Sequence, residues 1–186
     1  EEGVLQLERV AVGDHILLGG DNMDLALAYS VSAKLEQKGK RLDDWQMRGL
    51  VHGCRAAKES LLADESRDTY PLAIASRGSR LLGGTIRTEL TRPELEATLL
   101  EGFFPTVDAS ARPQVPRRMG LTTLGLPYAS DAAVTRHLAA FLARSQNTGG
   151  MTYPTTVLFN GGVTRSPVIR NRILKVLEAW ATADGA

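Results

Sequence analysis

At 186 residues the chain has room for one domain or two small lobes, and 43% hydrophobic with 23% charged residues is ordinary for a soluble globular protein. A net charge of +1 gives no electrostatic signal for nucleic acid or a strongly acidic partner. No window approaches the roughly 18 consecutive apolar residues of a membrane span, so no membrane partner is expected. The opening Glu1-Glu2-Gly3 is neither a basic leader nor an initiator Met, and it points to a fragment or a processed chain. The single cysteine, Cys54, excludes an internal disulfide and fits a reducing, cytoplasmic compartment. His52 lies two residues away, a spacing that does not face Cys54 on a helix, so Cys54 reads as packing.

Val4 to Val12 alternates loosely and predicts a strand, closed by the turn signal Gly13-Asp14. After Gly19-Gly20, Asp21 or Asn22 is placed to cap a helix carrying Leu25, Ala28, Tyr29, Val31, Ser32 and Leu35. Lys38-Gly39-Lys40-Arg41 ends it with positive charge and a glycine, as the helix dipole favours. A second helix is expected from Asp43-Asp44 to Leu62, weakened at Gly49 and Gly53. Thr69–Ser76 and Ser79–Arg87 predict a hairpin around Arg77-Gly78. Thr91 with Glu94 forms a capping box with Pro93 in the first turn, opening a helix through Leu95, Leu99 and Leu100.

From Phe104 the composition changes to a proline- and arginine-containing loop. Ser130 to Leu142 then reads as an amphipathic helix in which the lone His137 is structural. Thr155 to Phe159 is a β-branched, apolar run that predicts a buried strand. Gly161-Gly162 breaks it, Thr164 or Ser166 can cap a final helix, and Pro167 suits the first turn of that helix. Val168, Ile169, Ile173, Leu174, Val176 and Leu177 give it an apolar stripe. Glycines before a helix N-terminus let a ligand approach the backbone. They also serve where a chain only reverses.

Four separated segments carry a resemblance. Gly13-Asp14-His15 with Leu18-Gly19-Gly20-Asp21-Asn22-Met23-Asp24, the stretch Cys54 to Leu61, the stretch Leu90 to Glu96, and Val157 to Pro167 resemble, in the same order, signature segments of the seventy-kilodalton heat-shock chaperones. The match covers most of the chain outside Thr106 to Gly150.

The resemblance implies an α/β fold: the second lobe of an actin-like (ribonuclease H-like) ATPase domain. Residues 1–24 and 151–186 would be its partial core subdomain, 25–103 an α+β insertion subdomain with its return helix, and 104–150 a divergent insertion. It implies ATP or ADP with Mg2+ held between this lobe and a first lobe in a larger parent, and weak or undetectable nucleotide binding by this chain alone, which carries half of the site. It also implies client proteins or exchange factors as partners. By position, Arg55, Lys58, Glu59 and Leu62 on one helix and Gly161, Gly162, Val163 and Arg165 on the final turn would wall the adenosine. Lys58 would reach the ribose, Gly162 would admit the ligand to the backbone, and Arg165 would lie over the base. Gly19, Gly20 and Asp21 would sit near the phosphates or at the interlobe cleft.

The chain also departs from the pattern. Arg55 stands where the chaperones usually carry glutamate and Glu59 where they often carry arginine, and Leu62 and Val163 replace serines. Arg55 and Glu59, four residues apart, are spaced to pair with each other on a solvated face. The family's phosphate-binding loops are missing, so the chain alone is not expected to hydrolyse ATP and no catalytic residue is assigned. The alternative reading is a pseudo-ATPase or protein-interaction scaffold with a degraded pocket. A sugar- or metabolite-kinase lobe is a third, opposed by the chaperone-type insertion helix.

Overall fold

The computed structural model describes residues 8–13, 15–75, 84–114, 131–144 and 152–185. Among these the chain is mixed α/β, with five helices and one two-stranded sheet. The elements are α1 (Gly20–Gln37), α2 (Asp44–Ala63), β1 (Thr69–Ile74), β2 (Ile86–Thr91), α3 (Arg92–Glu96), α4 (Val134–Arg144) and α5 (Pro167–Ala183).

The helix ends follow local chemistry. Gly19, not Asp21 or Asn22, holds the cap position of α1, and its N–H donates to Asn22 Oδ1 at 2.9 Å. Asn22 thus supplies the reaching-back half of a capping box. At the other end Gly39 adopts φ +73°, its N–H donates to Glu36 O at 2.9 Å, and Lys40 N–H donates to Leu35 O at 2.9 Å. That is a Schellman closure, which only a residue at ease with positive φ makes cheaply. α2 opens on a reciprocal box, Gln46 N–H to Asp43 Oδ1 at 2.8 Å and Asp43 N–H to Gln46 Oε1 at 3.0 Å. α3 opens on the expected Thr91–Glu94 box, and Lys34 Nζ reaches Glu94 Oε1 at 2.6 Å to tie α1 to it. The helix continues as a π turn over Ala97–Glu101.

One core joins these pieces. α1 buries Met23, Leu27, Ala28, Val31 and Leu35. Ala28, Val31 and Leu35 are covered as predicted, whereas Leu25 and Tyr29 are exposed and Met23 and Leu27 are buried in their stead. α2 turns Leu50, Cys54, Ala57 and Leu61 inward against α1 on one side and the sheet on the other. Leu72, Ile74 and Leu90 cover α2 from β1 and β2. Each fully buried leucine contributes about 2 kcal/mol of transfer free energy. Burial pushes the Cys54 thiol up to about 12, with Asp24 adding to the effect, as suits an inert packing residue.

The hairpin registers Thr69 with Thr91 and Ile74 with Ile86. Its second strand lies later than the expected Ser79–Arg87, because β2 runs directly into the α3 cap at Thr91. The predicted Arg77-Gly78 turn lies outside the described residues. Arg92 then clamps the end of α2: Nη2 donates to Leu61 O, Asp64 O and Arg67 O at 2.8, 2.7 and 2.7 Å. Those carbonyls have no helical partner of their own.

Residues 103–107 bind the C-terminal helices. Val134 N–H donates to Phe103 O, Thr135 Oγ1 to Pro105 O, and Trp180 Nε1 to Val107 O. α4 begins at Val134 rather than Ser130, because Asp131 turns the chain by accepting from Ala133 N–H at 2.9 Å and Gln114 N–H at 2.8 Å. His137 Nε2 lies 2.9 Å from Asp131 O, a structural role as expected.

The two expected core strands differ from the prediction. Residues 8–12 form no strand, and Val4–Leu7 lie outside the described residues. Thr155–Phe159 forms none either and makes no backbone hydrogen bond among the described residues. Val10, Val12 and Leu158 are 81%, 73% and 93% exposed. A β-branched run supplies propensity, but a strand also requires a partner ladder.

Gly49 sits on the solvent face of α2 with nothing within 4 Å of where a Cβ would stand, whereas a Cβ on Gly53 would meet Leu72 Cδ2 at 3.1 Å. Gly49→Ala is therefore expected to raise stability by about 1 kcal/mol in urea denaturation. Gly53→Ala should gain clearly less; equal gains would contradict the close α2–β1 packing.

Candidate functional site

Where the first turn of α1, the C-terminal half of α2 and the turn 162–167 meet, they enclose a cavity of about 780 Å3. That is within the usual size range of small-molecule sites. α2 contributes Arg55, Lys58, Glu59, Leu62 and Ala63, whose spacing places them on one helix face. Gly20 and Met23 come from α1, and Gly162, Val163, Arg165, Ser166 and Pro167 complete the opposite wall.

The floor is an ion pair. Asp24 is 1% exposed and Lys58 6%. Lys58 Nζ lies 2.6 Å from Asp24 Oδ1 and donates to Gly20 O at 3.1 Å. A Cβ on Gly20 would stand 3.1 Å from that ammonium, so a side chain there would push Lys58 by a few tenths of an ångström. The Gly20 carbonyl takes one ammonium donor as a hydrogen bond, while Asp24 Oδ1 is ion-paired with the ammonium without a hydrogen bond aligned on it, so Lys58 keeps donor capacity for a ligand.

The second oxygen of Asp24 accepts from Arg55 Nε at 3.1 Å, and Arg55 Nη2 also pairs with Asp21. The hydrogen bond to Asp24, with the charge of Asp21, raises the Arg55 pKa further. The expected Arg55–Glu59 pairing is not formed. Asp24 is buried and already placed by its helix, and charge-assisted bonds to such a carboxylate outcompete one to an exposed, flexible Glu59. Among the described residues neither the Glu59 carboxylate nor the Arg165 guanidinium has an ion pair or a side-chain hydrogen bond.

The facing wall is built by its own backbone. Gly161 takes φ +95°, which favours glycine, and its N–H donates to Asn160 Oδ1 at 2.8 Å. Thr164 Oγ1 closes the turn on Asn160 O at 2.9 Å. Gly162 is different: its φ of −67° suits any residue, and no atom lies within 4 Å of a Cβ placed there. The protein's own packing gives no reason for glycine at this cavity-lining position. Ser166 holds the cap position of α5 without a capping bond, and its buried Oγ has no hydrogen-bond partner.

The structure thus brings Gly20, Arg55, Lys58, Glu59, Leu62, Gly162, Val163 and Arg165 around one cavity. It places Gly19 in the cap of α1, Asp21 in the pair with Arg55, and Gly161 in the turn behind the wall; these three do not line it. Sequence reasoning missed Met23, Asp24, Ala63, Ser166 and Pro167 as site residues. Asp24 carried a usable signal, since it lies four residues after Gly20 on the same helix face.

A larger cavity, about 1000 Å3, lies between Gly13, residues 15–17, α4, α5 and residues 154–158. Its lining is chiefly aliphatic and aromatic, with Leu138, Phe141, Ile173 and Leu177 prominent. It runs beside the unpaired extended segments and lacks the convergent charged groups of the smaller cavity. No protein-family model matches the chain, and no curated protein matches it.

Breaking the buried pair on one side leaves an uncompensated charge. Asp24→Asn is expected to cost about 3 kcal/mol of stability, with the double variant Asp24→Asn/Lys58→Met recovering much of it. Urea denaturation of both variants checks this, and a loss below about 1 kcal/mol for Asp24→Asn would contradict a desolvated pair.

Proposed function

We propose that the chain is the second lobe of an actin-like, chaperone-type ATPase, and that its smaller cavity takes the nucleoside part of ATP or ADP. The observation that carries this is the meeting of three segments, distant in sequence and each picked out by resemblance, around a single cavity with a spare ammonium donor. In this reading Lys58 donates its free N–H to a ribose hydroxyl, held in place by Asp24 and Gly20. Gly162 leaves room for the ligand against the backbone. Arg165, exposed and without an ion pair among the described residues, lies over the base, and Leu62 with Val163 provides the apolar contact.

The nucleotide supplies the phosphoanhydride that a full ATPase cleaves. This chain's residues would bind and orient the nucleoside, and the phosphates with their Mg2+ would rest on a first lobe. The exposed Val10, Val12 and Leu158 support a larger assembly, since strand-type segments without a ladder suit pairing with further chain. A cytoplasmic ATPase with clients and exchange factors as partners belongs to the same proposal. Among the described residues no helix is long and apolar enough to cross a membrane.

One observation favours the second reading, a scaffold that keeps the fold without nucleotide. Arg55, one of the cavity's three lining cations, is already engaged by two carboxylates.

Gly162→Val separates the two readings. By the first, it leaves the urea midpoint unchanged and abolishes adenosine binding, which wild type shows at millimolar ligand in saturation-transfer NMR. Unchanged binding in the variant, or no binding by wild type, would favour the scaffold.

A further inference from the structure

Ser166 is 4% exposed and stands at the cap position of α5, where a serine ordinarily accepts from an N–H of the first helical turn. It makes no such bond, and its buried Oγ has no hydrogen-bond partner. The other buried polar side chains among the described residues are engaged. Thr135 Oγ1 donates to Pro105 O at 2.7 Å, Gln46 and Asp131 hold local turns, and Asp24 and Lys58 hold each other. Thr164, two residues earlier, gives its hydroxyl to Asn160 O at 2.9 Å. Ser166 alone is left idle, and it lines the cavity.

A buried hydroxyl left unpaired costs more than a paired one contributes, so an orphan in a cavity wall calls for an occupant that completes it. A hydroxyl can donate to a ring nitrogen or carbonyl and can accept from an exocyclic amino group. Its neighbours in the wall are Arg165 and Pro167, and Leu62 belongs to the facing helix.

We propose that Ser166 is the specificity-determining residue of this cavity, its hydroxyl bonding the edge of the base when the nucleoside lies between Arg165 and Leu62. The inference rests on the nucleotide reading above. Arg165 and Leu62 meet the faces of the base, which any flat ring can offer. The buried hydroxyl adds a demand for a polar edge, because a ring without one leaves it unpaired.

Saturation-transfer titrations of the chain with adenosine and with N-ribosylindole test it. The second ligand keeps the size and sugar of a purine nucleoside but has no hydrogen-bonding atom on its base. Ser166→Ala is expected to weaken adenosine about fivefold, the worth of one hydrogen bond, and to bind ribosylindole no more weakly than wild type does. Its thermal midpoint should hold or rise, because the free chain loses an unpaired hydroxyl and no bond. Unchanged adenosine affinity, equal weakening of both ligands, or a midpoint lowered by several degrees, the mark of a lost helix cap, overturns the inference and leaves the nucleotide reading standing. Failure of the wild type to bind adenosine overturns the two together.

Discussion

A buried carboxylate and a buried ammonium 2.6 Å apart hold the site together. Asp24 belongs to α1 and Lys58 to α2, so the pair fixes how the two helices meet. Neither charge tolerates its position alone, because desolvation of an unpaired ion costs several kcal/mol. Together they set three further features. The ammonium packs closely on Gly20, Arg55 bonds the second oxygen of Asp24, and Glu59 makes no ion pair with Arg55. The cavity floor and the freedom of its rim both follow from one ion pair.

That pair also decides the electrostatics a ligand meets. Arg55 and Lys58 are offset by Asp21 and Asp24, so the floor presents hydrogen-bond donors with little net charge. This suits a hydroxylated, flat ligand better than a bare polyphosphate, whose charge calls for uncompensated cations or a metal. The facing wall is shaped by different means. Gly161 uses its positive φ to turn the chain, and Pro167 starts α5 without an N–H to satisfy. Backbone geometry there leaves the cavity open on the side where Gly162 and Arg165 stand.

Local chemistry was legible in the sequence; partnership was not. The Thr91–Glu94 box, the Gly39 stop and the packing role of Cys54 depend on residues within a few positions of each other, and each has its expected place. The phase of α1 needed knowledge of which side α2 lies on. Leu25 and Tyr29 look as apolar as Met23 and Leu27, yet only the latter pair is covered. The strand expected at Val4–Val12 rests on alternation and that at Thr155–Phe159 on β-propensity, and neither contains the neighbour that completes a ladder. At the site, spacing alone put Arg55, Lys58, Glu59 and Leu62 on one face. That this face looks at Gly162 and Arg165 rested on resemblance, and the importance of Asp24 emerged only once two helices were seen to cross.

The central claim is that a nucleoside lies between α2 and the 162–167 turn. A crystal structure of the chain grown with millimolar adenosine tests it directly. The account predicts the ribose beside Lys58, the base between Arg165 and Leu62, and the Asp24–Lys58 pair intact. Adenosine in the apolar trough between α4 and α5, or an empty cavity at saturating ligand, would contradict it.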